Sequence, residues 1–175
     1  MGRLRNYFAY GSNINLEQMA HRCPDAKVVG VVTLENYELV FRGSSPFSGC
    51  GNIEPREGGV VYGLLWQITP QCEEALKRYE GYPHFYDQQT VSVRDAEGKK
   101  HTAMVYVMTK QRALVPASPT RSYIACIRDG YVQNGMDLQA FEEALKGCRE
   151  EIAALREKEQ KSVPKQTRKN NHYER

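Results

Sequence analysis

The sequence predicts an α+β fold in which an antiparallel sheet or small barrel is covered by helices. Six strand-like runs are mixed with helical segments, without the regular βαβ alternation that indicates a parallel sheet. The chain has 175 residues, 41% of them hydrophobic and 26% charged, which suits a single core. We therefore expect one domain over residues 1–160 and a basic tail over residues 161–175.

The first part of the chain is predicted to form three strands and a short helix. Residues 4–10 resemble a strand that stops at Gly11. Residues 15–21 predict a short helix, which the Cys23-Pro24 step ends. Two β-rich runs, 26–34 and 37–42, are joined at Glu35-Asn36 and predict a hairpin.

Residues 43–59 are predicted to form a long surface loop. The segment holds five Gly, three Ser and two Pro, which favour turns over regular strands. Loops of this length are often lids or substrate walls. We therefore expect this loop to border a binding site.

The second part of the chain is predicted to contain a strand, a helix, a hairpin and two more helices. Thr69-Pro70 combines a capping hydroxyl with a proline at the first helical position, so a helix should run from there to about Tyr79. An apolar stripe on the last helix should pack on the domain. The other predicted elements are a strand over 60–68, a hairpin of 86–93 and 101–108 around the turn at 95–98, and helices opening at Ser118-Pro119 and Asp137.

Charge and composition exclude several functional classes. The net charge is +3, and residues 161–175 contribute five Lys or Arg against one acid, so the domain itself is near neutral. This argues against a nucleic-acid-binding surface, and the polar tail is predicted to be disordered. No apolar run approaches the ~20 residues of a membrane span, and no secretory segment is recognisable.

The cysteines and glycines add further exclusions. Five cysteines without a C-x-x-C pair predict a cytosolic protein with reduced thiols and neither a structural zinc site nor a disulfide framework. Gly58-Gly59 precedes a strand, so it is not a phosphate-binding loop. We expect no cofactor and no metal.

The segment Tyr10-Gly11-Ser12-Asn13 is the first candidate site. It lies between a predicted strand and a predicted helix, where backbone amides can hold a carboxylate or a developing oxyanion. The alternative is an ordinary helix cap, in which Asn13 or Asn15 serves the amides and nothing binds.

Glu80 is the second candidate. It ends a predicted helix within RYEGYPHFY, so the negative helix end and the surrounding aromatic side chains should raise its pKa and suit it to proton transfer. The alternative is a solvated glutamate beside Gly81. We interpret His84 as a surface histidine. The count of 11 tyrosines against five phenylalanines is compatible with a hydroxyl-lined pocket.

These features together resemble the γ-glutamylcyclotransferase-like family. YFAYGSN, RYEGYPHFY and a late S-Y-x-x-x-I-x-x-G-Y-x-x-x-G-M-D-L region occur in the family's order, over roughly residues 5–148. The resemblance implies a small, mostly antiparallel β-barrel flanked by helices. It also implies an enzyme that releases an amine from a γ-glutamyl group while the glutamyl part closes to 5-oxoproline.

The resemblance also assigns roles to residues. Glu80 matches the catalytic acid/base, and the substrate-binding residues are Tyr10, Gly11, Ser12, Asn13, Tyr86 and, less closely, Tyr123. The Ser-Asn pair resembles the γ-glutamyl-amino-acid branch more than the γ-glutamylamine branch, where Thr-Leu is typical. The implied partner is a small γ-glutamyl substrate, and a homodimer is left open.

Three alternative functions remain at this point. An amidohydrolase could use the same pocket with water as nucleophile, and would then release glutamate. A relative could act on a γ-glutamylated secondary metabolite. A non-catalytic binding module of the same fold could use the basic tail to reach a partner.

Overall fold

Six strands and four α-helices make up the part of the chain that the structure describes. A computed structural model describes residues 2–162 of the chain. The strands are β1 (Arg5–Ala9), β2 (Lys27–Gly43), β3 (Cys50–Ile68), β4 (Tyr86–Asp95), β5 (Lys100–Met108) and β6 (Val115–Pro116). The helices are α1 (Leu16–Arg22), α2 (Pro70–Tyr79), α3 (Arg121–Gln133) and α4 (Leu138–Ser162), with a 3₁₀ turn over Ser12–Ile14.

The strands close into a five-stranded barrel. Their order is β3-β1-β5-β4-β2, and β2 also pairs with β3, so the ends of the sheet meet. β1 and β5 are parallel, whereas the other pairs are antiparallel. The short β6 adds to the far end of β2 at Arg42 and Gly43. The predicted α+β fold with a small, mostly antiparallel barrel is thus confirmed.

The hairpin predicted at Glu35-Asn36 is wrong, because β2 continues through this dipeptide as one strand. Asn36 has φ of 63° and its side-chain oxygen accepts from the Gly58 amide, while the pairing with β3 shifts register between Glu35 and Tyr37. Asparagine tolerates this left-handed conformation, so the dipeptide makes an irregularity within a strand. The hairpin partner of β2 is β3.

The long loop predicted over residues 43–59 is also wrong, because β3 already begins at Cys50. Only residues 44–49 connect the two strands, and pairing runs from Arg42 opposite Cys50 to Tyr37 opposite Pro55. Charged pairs across the ribbon, such as Arg42 with Glu54 at 2.8 Å, favour the strand despite its glycines. This ribbon places Gly51 inside the molecule.

Helix α2 and the β4–β5 hairpin are confirmed. The Thr69 hydroxyl accepts from the Cys72 amide, as a capping residue should, and the helix ends at Tyr79. Helix α3 begins later than Ser118-Pro119, because the Ser118 backbone bonds to the loop at Pro46 and Gly49. Its capping residue is Thr120.

The apolar stripe of α4 packs on the barrel, as predicted. Phe141 stacks on Tyr131 at 5.3 Å and meets Phe41 edge-on at 6.2 Å. The other buried residues of the stripe are Leu145, Cys148 and Ile152.

Within residues 2–162, no helix is long and apolar enough to cross a membrane. Helix α4 ends at Ser162, and residues 163–175 of the predicted tail lie outside the described part of the chain.

Candidate functional site

One small inner pocket is lined by all seven residues that the sequence analysis proposed. It lies where β1 ends, between the start of β3, the end of α2 and the first turn of α3. An outer groove of about 310 Å³ adjoins the inner pocket, which holds about 30 Å³. The seven residues are Tyr10, Gly11, Ser12, Asn13, Glu80, Tyr86 and Tyr123, and the two spaces share Ser12, Glu80, Tyr86 and Tyr123.

The loop after β1 is a 3₁₀ turn that leads directly into α1. The Ile14 amide donates to the Gly11 carbonyl at 3.2 Å, and the Asn15 amide donates to the Ser12 carbonyl at 3.1 Å. The Asn15 side chain caps α1 by accepting from the Gln18 amide. The capping role that the sequence left open between two asparagines therefore belongs to Asn15, which leaves the Asn13 side chain to the pocket.

Gly11 lies close to the Tyr123 hydroxyl. A Cβ atom at this position would lie 3.2 Å from Tyr123 Oη, closer than side chains normally approach. The backbone φ of Gly11 is −106°, so its conformation does not itself require glycine. The requirement for glycine comes from the narrow space between the loop and α3.

Asn13 connects the loop to Glu80. Its side chain is buried, and Nδ2 donates to Glu80 Oε1 and to the Tyr7 hydroxyl, both at 2.9 Å. Its Oδ1 accepts from Arg22 Nη1 at 2.6 Å, and its backbone carbonyl accepts from the Trp66 indole. These contacts leave the Asn13 amide a single orientation.

Glu80 caps the C-terminal end of α2 and lines the inner pocket. Burial raises the pKa of its carboxyl to about 7, although Arg22 and the hydrogen bond from Asn13 both lower that pKa. Glu80 keeps part of its surface exposed and lines both the inner pocket and the outer groove. At neutral pH the carboxyl is thus present in both protonation states.

Two tyrosines of the pocket hold Gly51 of β3 through its backbone amide and carbonyl. Tyr86 donates its hydroxyl to the Gly51 carbonyl at 2.6 Å, and the Gly51 amide donates to Tyr123 Oη at 3.0 Å. Among the described residues, the Tyr123 hydroxyl acts only as an acceptor, so its hydrogen is available to a ligand. Burial raises the pKa of both hydroxyls, which keeps them protonated donors near pH 7.

Sequence reasoning missed four residues that build the site. Tyr7, Gly51 and Tyr106 line the inner pocket, and Arg22 holds the loop from behind. The high tyrosine count was a signal for the pocket, because five of its lining residues are tyrosines. Nothing in the sequence pointed to Arg22 or Gly51.

His84 and Cys50 are two further residues whose positions bear on the site. His84 is exposed and does not line the pocket, as expected. Cys50, which lies outside both motifs in the sequence, lines the outer groove. Within residues 2–162, no group of three or more His, Cys, Asp or Glu side chains is arranged to hold a metal ion.

Similarity to known proteins covers most of the chain. Residues 7–125 match the family model described as gamma-glutamyl cyclotransferase, AIG2-like. Human gamma-glutamylcyclotransferase is 32% identical over 147 residues, which are 80% of this chain and 76% of the human protein. The bovine gamma-glutamylcyclotransferase is 31% identical over 76% of this chain and 73% of its own.

The fold comparison agrees with the sequence comparison. A solved structure of a gamma-glutamyl cyclotransferase superposes with a TM-score of 0.71 and 30% identity, covering 82% of this chain and 87% of that one. Both the sequence and the barrel with its inner pocket therefore lead to one conclusion: the chain belongs to the gamma-glutamyl cyclotransferase, AIG2-like family.

Proposed function

We propose that this chain is a γ-glutamylcyclotransferase that releases an amino acid or amine from a γ-glutamyl compound and forms 5-oxoproline. The observation that carries the proposal is the Glu80 carboxyl, whose pKa of about 7 suits both removal and return of a proton at neutral pH. Family membership and the hydroxyl-lined pocket support the same reaction.

The proposed reaction is an intramolecular acyl transfer. Glu80 takes a proton from the substrate α-ammonium, and the freed amine attacks its own γ-carbonyl carbon. A carbon–nitrogen bond forms, and the carbonyl oxygen becomes an oxyanion. The bond to the departing nitrogen then breaks as Glu80 returns the proton to it. Glu80, a carboxylate again, passes the second hydrogen of the ring nitrogen to the released amine, which leaves as an ammonium. Nucleophile and electrophile share one molecule, so the protein needs mainly to hold the ring-forming pose.

The loop and Tyr123 are the proposed partners of the oxyanion or the substrate carboxylate. The amides of Ile14 and Asn15 are used within the turn, which leaves those of residues 11–13 as candidates. The Tyr123 hydroxyl adds a donor beside Gly11. The hydroxyls of Tyr10 and Tyr86 already donate to the carbonyls of Tyr106 and Gly51. These two tyrosines therefore form walls of the pocket and do not offer their hydrogens to the oxyanion.

The outer groove is the proposed site of the departing amine. It adjoins Glu80, which must protonate the leaving nitrogen, and it offers far more room than the inner pocket. Arg78 lines this groove with its positive charge, and Tyr79 and Phe85 add aromatic walls. This lining suits an amino acid, whose carboxylate could pair with Arg78, better than it suits a cationic amine.

A screen of γ-glutamyl compounds tests the proposal. The purified protein is incubated with γ-glutamyl dipeptides, γ-glutamylamines and γ-glutamylated secondary metabolites, and 5-oxoproline is measured by mass spectrometry. We expect 5-oxoproline from at least one class, formed at least ~100-fold more slowly by the Glu80→Gln variant. Release of glutamate alone would indicate the hydrolase, and no product from any class would favour the binding module.

A further inference from the structure

We propose that Arg22 is a positioning residue, which acts through Asn13 to orient the Glu80 carboxyl for proton transfer. This inference deepens the proposed function and rests on it for the identity of the reaction. Arg22 belongs to the last turn of α1, outside both sequence motifs, and its guanidinium lies behind the loop that carries Ser12 and Asn13.

The Arg22 guanidinium is held by several contacts. Nη1 donates to Asn13 Oδ1 at 2.6 Å and to Ser12 Oγ at 3.2 Å, while Nη2 donates to Gln18 Oε1 at 3.0 Å. The guanidinium carbon lies 3.7 Å from the centre of the Tyr79 ring. Tyr79 precedes Glu80 in the chain, so Arg22 bridges the loop and the end of α2.

These contacts decide which way the Asn13 amide faces. A guanidinium only donates hydrogen bonds, so the atom of Asn13 that faces Arg22 must be the oxygen. The NH₂ group then faces Glu80 Oε1 and the Tyr7 hydroxyl, both at 2.9 Å. A flipped amide would set its NH₂ against the guanidinium and its oxygen against the carboxylate. Arg22 therefore favours the orientation that holds Glu80 as a proton acceptor.

The charge of Arg22 acts in the same direction. It lowers the pKa of Glu80, against the effect of burial, so more of the carboxylate is present at neutral pH. On α2 itself, Arg78 is a charged neighbour that lines the outer groove and is exposed. Six further titratable groups line the inner pocket or the outer groove, and burial raises their pKa values, so they are neutral near pH 7: Tyr7 and Tyr10 at β1, Cys50 of β3, Tyr86 of β4, Tyr106 of β5 and Tyr123 of α3.

The pH profile of activity tests this role. 5-Oxoproline formation from γ-glutamyl-alanine is measured across pH for the wild type, Arg22→Met and Arg22→Lys. We expect the activity of Arg22→Met at pH 7 to fall at least ~10-fold and to recover in part at higher pH. Without the charge of Arg22, the Glu80 carboxyl stays protonated up to a higher pH. The lysine variant keeps the positive charge but loses the planar set of guanidinium donors, so its activity at pH 7 should lie between those of the wild type and Arg22→Met.

A matched control and a second measurement separate positioning from folding. Arg128→Met removes another partly buried arginine, which does not line the pocket and whose guanidinium lies 2.6 Å from the Glu142 carboxylate. This variant should leave the pH profile of activity unchanged. The Glu80 carboxyl is also titrated directly by ¹³C NMR in the free protein, which needs no substrate. If the wild type forms no 5-oxoproline but the Glu80 titration moves upward in Arg22→Met and partly in Arg22→Lys, the proposed function fails and the positioning role stands. An unchanged titration in a folded Arg22→Lys or Arg22→Met protein would overturn the role of Arg22.

Discussion

The Glu80 carboxyl is subject to two opposing influences at the scale of single residues. Burial favours its protonated form, while Arg22 and the hydrogen bond from Asn13 favour the carboxylate. The balance gives a pKa of about 7. A carboxyl at this balance can accept the proton of the α-ammonium and return it to the departing nitrogen without a second acid.

Replacing Glu80 by glutamine should stop proton transfer without disturbing the fold. The amide oxygen of glutamine can still accept from Asn13, but it cannot carry the proton. We expect turnover to fall by at least ~100-fold. The measurement is the rate of 5-oxoproline formation, with Glu74→Gln, an exposed neighbour on α2, as control. Near-wild-type turnover of a folded Glu80→Gln protein would exclude Glu80 as the base.

The same substitution should stabilise the protein at high pH. The pKa of Glu80 rises from an ordinary value of 4.5 to about 7 on folding, so the native state binds more protons than the unfolded state between these values. The free energy of unfolding therefore falls as pH rises through this window. Glu80→Gln removes that loss, which is at most about 3 kcal/mol for a shift of this size.

Urea unfolding at about pH 5 and about pH 8 measures this stabilisation. The advantage of Glu80→Gln over the wild type should be larger at the higher pH. An equal difference at both values would mean that burial does not raise the pKa of Glu80 in the folded protein.

The sequence could predict the surroundings of Glu80 but not the contact of Arg22. A glutamate at a helix end within a run of aromatic residues indicates a raised pKa from local spacing alone. An arginine in the last turn of a helix is ordinary, because it favours the negative helix end. That Arg22 instead reaches Asn13 depends on how α1 folds back on the loop, which no local pattern encodes.

At the scale of elements, the turn after β1 closes with two of its own backbone hydrogen bonds, which leaves its other groups free to face the pocket. Its last two amides close the 3₁₀ turn, and Asn15 caps α1. The side chains of Ser12 and Asn13 and the narrow space at Gly11 then remain for the pocket. Helix α3 closes this space, because Tyr123 approaches both Gly11 and Gly51.

A side chain at Gly11 should therefore abolish substrate binding. Gly11→Val would push against the Tyr123 hydroxyl, since even a Cβ atom lies only 3.2 Å from it. The measurement is the KM for the γ-glutamyl substrate, together with a melting curve. Gly30→Val is the control, because a Cβ atom there has no neighbour within 4 Å. Unchanged affinity in a folded Gly11→Val protein would contradict the role of this turn.

The β2–β3 ribbon shows why two elements could not be predicted from local patterns. Glycine, proline and serine favour turns, but cross-strand partners such as Leu39 opposite Ile53 extend the pairing through this segment. Strand pairing is a contact between distant segments, so composition alone does not reveal it. The β2–β3 pairing brings Gly51 into the site, where its backbone amide and carbonyl bond to Tyr123 and Tyr86.

At the scale of the whole molecule, barrel closure brings together residues far apart in the chain. The pocket combines positions from Tyr7 to Tyr123, which come from four strands, the ends of α2 and α3 and the turn after β1. The family resemblance allowed the barrel to be predicted, whereas the sequence alone left a sheet and a barrel open. Closure depends on β2 pairing with both β4 and β3.

Removal of residues 163–175 should leave stability and activity nearly unchanged. The buried residues of α4 extend from Phe141 to Ile152, and the pocket residues precede position 124, so both lie well before the cut. The melting temperature and the rate of 5-oxoproline formation measure the effect. A large loss of either would show that the basic tail takes part in folding or catalysis.

Turnover in ¹⁸O-labelled water tests the proposed reaction most directly. In the proposed reaction the nucleophile is the substrate's own amine, so no water oxygen enters the glutamyl product, and we expect unlabelled 5-oxoproline. A substrate whose α-amino group is acetylated should not react. Glutamate carrying one labelled oxygen as the first product, or cleavage of the acetylated substrate at a comparable rate, would contradict the intramolecular reaction even if Glu80 proved essential.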